Sequence, residues 1–181
     1  MKRIGLIVAG AVAAAALAPS ALAAPAPNAG DRARAVQDCK ILRAQLGKQT
    51  FRATYGTANV NRKNAFARCF RQWSNEEAEN RVQAVADCRA EQGTTPESRQ
   101  AFREQYGTFG TCVAQKRRAE SRDDRRDVMN AARTCKAERG TTEESRAAFK
   151  AKWGGNANAF GRCVSATARA ADEDEEEPEE G

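Results

Sequence analysis

Apolar residues fall three and four positions apart along most of this chain, the spacing of a single buried stripe on an amphipathic helix. One stripe is Ala78, Val82, Val85 and Cys88; another is Val128 or Met129, Ala132 and Cys135. Elsewhere two aromatic residues stand four apart, Phe102 with Tyr106 and Phe149 with Trp153, which places both on one helix face. A longer stripe joins Phe66, Cys69, Phe70 and Trp73. The pattern predicts an all-α fold in which cysteines occupy buried faces.

The stripes recur because the sequence repeats. Cys88-Arg89-Ala90-Glu91-Gln92-Gly93-Thr94-Thr95-Pro96-Glu97-Ser98-Arg99 aligns with Cys135-Lys136-Ala137-Glu138-Arg139-Gly140-Thr141-Thr142-Glu143-Glu144-Ser145-Arg146. Downstream, Phe109-Gly110-Thr111-Cys112-Val113 aligns with Phe160-Gly161-Arg162-Cys163-Val164. A more divergent first copy runs from Cys39 through Phe51 and Tyr55-Gly56 to Phe66-Ala67-Arg68-Cys69-Phe70, and it lacks the Gly-Thr-Thr segment.

Each copy reads as three helices, A, B and C. Ser74 with Glu77, and Ser121 with Asp124, have the spacing of a capping box and predict the start of helix A. Gly93 and Gly140 predict its end. Thr94 with Glu97, and Thr141 with Glu144, predict the cap of helix B, with Pro96 suited to its first turn. The spacer from the second aromatic to the second cysteine varies: 14 residues from Tyr55 to Cys69, 6 from Tyr106 to Cys112, 10 from Trp153 to Cys163. Such length variation belongs on a surface, where loop closure costs little. The asparagines of the longer spacers (Asn59, Asn61, Asn64, Asn156 and Asn158) suit turns and mark what distinguishes the copies.

The N-terminus carries a different pattern. Lys2 and Arg3 precede an uncharged apolar run over 4–18; Pro19 and Ser20 break it, and Ala21-Leu22-Ala23 is a small-residue cleavage site. This predicts a secretory signal peptide over residues 1–23. The run falls short of the roughly 20 residues that span a bilayer, and no second apolar run follows, so the mature chain is expected to have no transmembrane segment and to act outside the cell or at its envelope. Residues 24–30 read as an Ala-Pro linker, followed by copies over 31–73, 74–120 and 121–170.

Composition explains why cysteines lie on the stripes. Beyond residue 23 only 17 of 158 residues are Leu, Ile, Val or Phe, under the roughly 20% below which a chain tends to disorder. A thin core stapled by disulfides resolves that conflict in an oxidising compartment. Six cysteines allow fifteen connectivities. Cys69 and Cys88 are 19 residues apart with no Gly or Pro between. A continuous helix there would hold them roughly 28 Å apart, beyond the roughly 7 Å limit between bridged Cα atoms. A bend at the serines would relax this, so the geometry disfavours pairing between copies without excluding it. The expected pairs are Cys39–Cys69, Cys88–Cys112 and Cys135–Cys163.

Charge divides the chain. Residues 24–170 carry 28 Lys and Arg against 16 Asp and Glu, and residues 172–181 carry eight acids and no base. A tail so charged, over 171–181, is expected to be disordered. The basic body draws anionic partners through its long-range field. Its densest segment holds Lys116, Arg117, Arg118, Arg122, Arg125 and Arg126 and is the candidate anion-binding set. Interleaved Glu120, Asp123, Asp124 and Asp127 also fit a solvated, salt-bridged helix, and with export they argue against nucleic acid.

Catalytic chemistry has few carriers here. The chain has no histidine, which removes the commonest general base and metal ligand. It has no C-x-x-C spacing and no glycine-rich phosphate loop. No cofactor, metal or catalytic residue is expected. The recurring acids Glu91, Glu97, Glu138 and Glu144 are the remaining acid–base candidates, in a hydrolase of envelope polymers; capping and a solvated helix end account for the same residues.

The combination of Cys-x-Ala-Glu-x-Gly, Phe-x-x-x-Tyr/Trp-Gly and Asn-Ala-Phe-Ala/Gly-x-Cys over residues 31–168 resembles small exported cysteine-repeat proteins of high-GC bacteria, especially actinobacteria. That group has no assigned activity, so the resemblance lends no functional residue. The sequence therefore predicts three tandem disulfide-stapled helical repeats with disordered termini. Such a protein is expected to be a non-enzymatic structural or binding protein, its partner an anionic envelope polymer or another exported protein.

Overall fold

A computed structural model describes residues 24–57, 64–154 and 158–176, with side chains as far as Ala171. Residues 1–23, over which a signal peptide is expected, residues 58–63 and 155–157, with Asn59, Asn61 and Asn156, and residues 177–181 lie outside these. The described residues form six helices: α1 (Ala29–Tyr55), α2 (Ala65–Gln92), α3 (Pro96–Tyr106), α4 (Phe109–Arg139), α5 (Glu143–Lys152) and α6 (Ala159–Glu176). The protein is all-α, and its three disulfides join Cys39–Cys69, Cys88–Cys112 and Cys135–Cys163, each within one copy. Their Cα atoms are 6.0, 6.1 and 6.0 Å apart.

Helix C of one copy does not stop before helix A of the next. Cys69 and Cys88 lie on the same 28-residue α2, and Cys112 and Cys135 on the same 31-residue α4. The caps expected at Ser74 and Ser121 are therefore not caps. Both serines sit inside a helix and donate to the carbonyl four residues back, Ser74 Oγ to Phe70 at 2.7 Å and Ser121 Oγ to Arg117 at 2.7 Å. A serine hydroxyl satisfied in this way leaves the helical ladder intact.

The A–B turns form one residue later than the threonine spacing predicts. Thr95 and Thr142, not Thr94 and Thr141, cap α3 and α5, and their hydroxyls accept from the Ser98 and Ser145 amides. Glu97 and Glu144 thus close no capping box with Thr94 and Thr141. Gly93 and Gly140 hold φ of 60° and 61°, and a Cβ on either would collide with Ser98 or Ser145. Copy 1, without that segment, turns at Gly47 (φ 74°), which kinks α1 between its A and B portions.

The copies do not stack in chain order. Copies 1 and 3 share one core, in which Leu42, Phe51, Tyr55 and Trp73 meet Val128, Phe149, Phe160 and Val164 around two disulfides. Copy 2 keeps a separate cluster of Cys88, Phe102 and Cys112, flanked by Tyr106, Phe109 and Val113. The long helices α2 and α4 carry it beyond the shared core. This isolation explains a miss on the stripe of helix A: Val82, expected inside, is 48% exposed, and Ala84 is buried instead. Two expected boundaries also shift. Helix α1 begins at Ala29, inside the stretch read as linker, and α6 continues to Glu176, so the first five acids of the tail extend a helix.

Copy 2 has so little core that its disulfide must hold it. Closing a loop of that length contributes about 3.5 kcal/mol in the chain-entropy model. Replacing Cys88 and Cys112 together by serine should accelerate amide exchange in α3 and the adjoining ends of α2 and α4. Amides around the other two disulfides should keep their protection; acceleration throughout would contradict two separate cores.

Candidate functional site

Where α2 and α4 cross, the chain buries charge. Asp31 and Glu77 are fully buried and Arg117 is 8% exposed. One Arg117 nitrogen, Nη2, donates to Asp31 Oδ1 at 2.8 Å, to Glu77 Oε2 at 2.9 Å and to the Glu77 carbonyl at 3.2 Å. Ser121 Oγ shares its single proton between the Arg117 carbonyl and the other Glu77 oxygen. Asp31 has a second task as the N3 residue of α1: it accepts from the Asn28 amide at 2.9 Å while Asn28 accepts from the Asp31 amide, a reciprocal capping box. Arg81 Nε adds a contact at 3.2 Å. Helices from all three copies are thus tied at one buried point.

A cleft of about 570 Å³ opens beside this knot. Its walls carry Arg34, Arg118, Arg122 and Arg125, with Ile41 37% exposed at the edge. Asp38 and Glu77 lie at its base, both buried. Arg125 bonds Asp38 Oδ1, while Asp38 Oδ2 has no partner. Burial first, and then the Glu77 charge, raise the Asp38 carboxyl against the opposing pull of Arg125, for a net shift from its ordinary 3.8 to about 6. A proton retained on Asp38 gives the orphan oxygen a donor toward Glu77. Two adjacent carboxyls at the base of an arginine-lined cleft resemble an acid–base pair in composition. Their burial, and the engagement of Glu77 by Arg117 and Ser121, assign them to structure.

The candidate anion-binding residues separate. Arg117 lies inside the knot. Lys116 bonds Glu91 at 2.7 Å, Arg125 bonds Asp38, and Arg126 meets Asp123 at 3.0 Å. Arg118 and Arg122 stay exposed and share the cleft with Arg125. A run that is dense in sequence is spread around α4, and four of its six cations neutralise carboxylates.

The recurring acids are also engaged. Glu91 accepts from Tyr106 Oη at 2.6 Å and from Lys116. Glu138 accepts from Lys152 at 2.6 Å and Trp153 Nε1 at 3.1 Å. These bonds, chiefly from the lysines, hold both carboxyls below their ordinary value. Each glutamate latches helix A to the second aromatic of helix B. Copy 1 has Leu42 at this position and makes the latch otherwise, Trp73 Nε1 donating to Tyr55 Oη at 3.1 Å. Glu97 and Glu144 are exposed at the first turns of α3 and α5, the latter lowered by its own amide and the Thr142 hydroxyl.

Sequence reasoning missed Asp31, Asp38 and Glu77. Asp31, three residues after Asn28, carried a readable sign in its capping-box spacing; Glu77 read as the partner of a Ser74 cap, and nothing in the sequence marked Asp38. No group of His, Cys, Asp and Glu suited to a metal occurs among the described residues, and no helix among them is long and apolar enough to cross a membrane. No protein-family model matches the chain, and no curated protein or solved structure matches it.

Arg117→Met leaves Asp31 and Glu77 as buried charges short of a partner and should cost about 3–5 kcal/mol in denaturant unfolding. Lys116→Met, at the surface, should leave the midpoint nearly unchanged; equal effects would contradict the knot. A second test uses pH. The native state holds the Asp38 proton more tightly than the unfolded chain, so this group's contribution is greatest below pH 3.8 and is lost as pH rises through about 6. The facing groups are Arg34 on α1, Glu77 on α2, and Arg118, Ser121, Arg122 and Arg125 on α4. The melting temperature of the wild type minus that of Asp38→Asn should therefore fall between pH 4 and pH 7. Parallel curves would refute the assignment.

Proposed function

We propose that this protein is an exported, non-catalytic binding module, a rigid helical scaffold that acts through its surface at or outside the cell envelope. The latch role of Glu91 and Glu138 is the observation that carries this reading. These acids, the best candidates for hydrolysis, recur because each copy needs its aromatic fastened, and the copy lacking the glutamate fastens it with tryptophan. The aromatic is bonded in every copy, by a helix-A glutamate in two and by Trp73 from α2 in the third, so what recurs is the fastening and not the carboxylate. The leader over residues 1–23 and the three disulfides support an oxidising destination. The basic body supports an anionic partner over a neutral one.

The test is incubation of the oxidised mature chain with native envelope material. The protein should sediment with that material and elute with rising salt, while no soluble fragment of the polymer appears in the supernatant. Release of fragments, abolished by Glu91→Gln or Glu138→Gln, would replace this reading with a carboxylate-dependent hydrolase.

A further inference from the structure

Copies 1 and 3 share a six-residue motif that copy 2 lacks. Asn64-Ala65-Phe66-Ala67-Arg68-Cys69 and Asn158-Ala159-Phe160-Gly161-Arg162-Cys163 differ at one position, whereas copy 2 has Gly107-Thr108-Phe109-Gly110-Thr111-Cys112. Most of the motif has a packing explanation. Ala65 and Ala159, both phenylalanines and both cysteines belong to or pack against the shared core. Asn64 stands at the N-terminus of α2 and clips the spacer, its Nδ2 donating to Thr57 Oγ1 at 2.9 Å. The arginines are exposed, Arg68 and Arg162 alike, although the Arg162 guanidinium also lies against Gly154, where it leaves no room for a Cβ.

The fold brings these two arginines together. They line one groove of about 420 Å³ between α2 and α6, with Arg71 and Arg169 beside them. The two walls are the same helix face taken from two copies: Arg68 and Arg162 stand one residue before their cysteines, Asn75 and Arg169 six after. Among the described residues no Asp or Glu lines the groove. The basic run on α4 is the opposite case, with four of its six cations bonded to carboxylates. Here four guanidinium groups share one concavity whose described lining holds no acid, an arrangement that favours a bound anion.

Three further features define the ligand. Gly161 packs against the Thr54 carbonyl so closely that a Cβ would collide with it, which fixes α6 against the end of α1 and sets the width of the groove. Tyr55 is 5% exposed, with its hydroxyl tied to Trp73, so this ring offers no stacking face to a base. The guanidinium fork matches paired oxygens of a phosphate, and four such forks in a row suit several anionic groups on one chain.

We infer that this groove binds a phosphate-bearing polyanion, with Arg68, Arg71, Arg162 and Arg169 contacting successive phosphates. The inference rests on reading the protein as a binder. Its counterpart in copy 2 is absent because Thr111 replaces the arginine and the core of copy 2 is separate from the one that joins the other two.

The experiment is titration of the oxidised mature chain with long-chain polyphosphate at low and physiological salt. The variants are Arg68→Gln/Arg162→Gln and, as a charge-matched control on α3, Arg99→Gln/Arg103→Gln. The groove variant should bind roughly tenfold or more weakly, and the control should stay close to wild type. All four arginines are exposed, so equal melting temperatures verify that both variants fold. Equal losses, or no loss, would overturn the site. Polyglutamate of matched charge should bind more weakly than polyphosphate; equal affinity would overturn the phosphate assignment. Release of orthophosphate by the wild type would remove the non-catalytic reading and leave the groove standing.

Discussion

A helix that belongs to two repeats at once constrains both. Cys69 and Cys88 are held apart by the unbroken α2, and Cys112 and Cys135 by α4. Each cysteine then finds its partner only by the chain folding back at the short A–B and B–C connections. The continuous helices also decide which copies meet. Extending past their crossing, they carry copy 2 away from the rest, and the apolar faces of copies 1 and 3 cover one another. Three units, each too poor in large aliphatic residues to fold alone, thereby become one adequate core and one stapled outlier.

The buried knot lies where that geometry has least freedom. Two long helices crossing at Glu77 and Ser121 bury polar atoms that water no longer reaches, and each demands a partner. Arg117 supplies most of them from one nitrogen, leaving its own Nε unbonded. Buried ion networks of this kind contribute little net stability and strongly penalise a wrong arrangement. Asp31 couples the start of α1 to the crossing, so the entry of the first helix and the register of the other two are set by the same carboxylate.

The repeat, the disulfide pairs and the helix-ending glycines were legible in the sequence because each is a local or periodic property. The continuity of α2 and α4 was not. Ser-x-x-Glu reads as a cap, and only the tertiary structure shows Ser74 bonding backward inside a helix. The exposure of Val82 was illegible for a related reason: its stripe is correctly periodic, but nothing covers copy 2. The cleft and the groove needed the meeting of copies 1 and 3, which spacing cannot report. Arg68 and Arg162 were visible as a repeated residue, but not as neighbours.

The order of the cysteines has a consequence for biogenesis. The three bonds are consecutive, neither nested nor interleaved, so a chain emerging N-terminus first presents each cysteine's proper partner before any cysteine of the next copy. Each loop of about 30 residues or fewer can oxidise as it appears, with little call for disulfide shuffling. What cannot be completed in that order is the shared core. Copy 1, already oxidised, must keep its apolar face uncovered until copy 3 arrives, almost a hundred residues later from Cys39 to Cys135. The hazard in making this protein is thus not mispairing of thiols but a folded first unit waiting for the third to cover it.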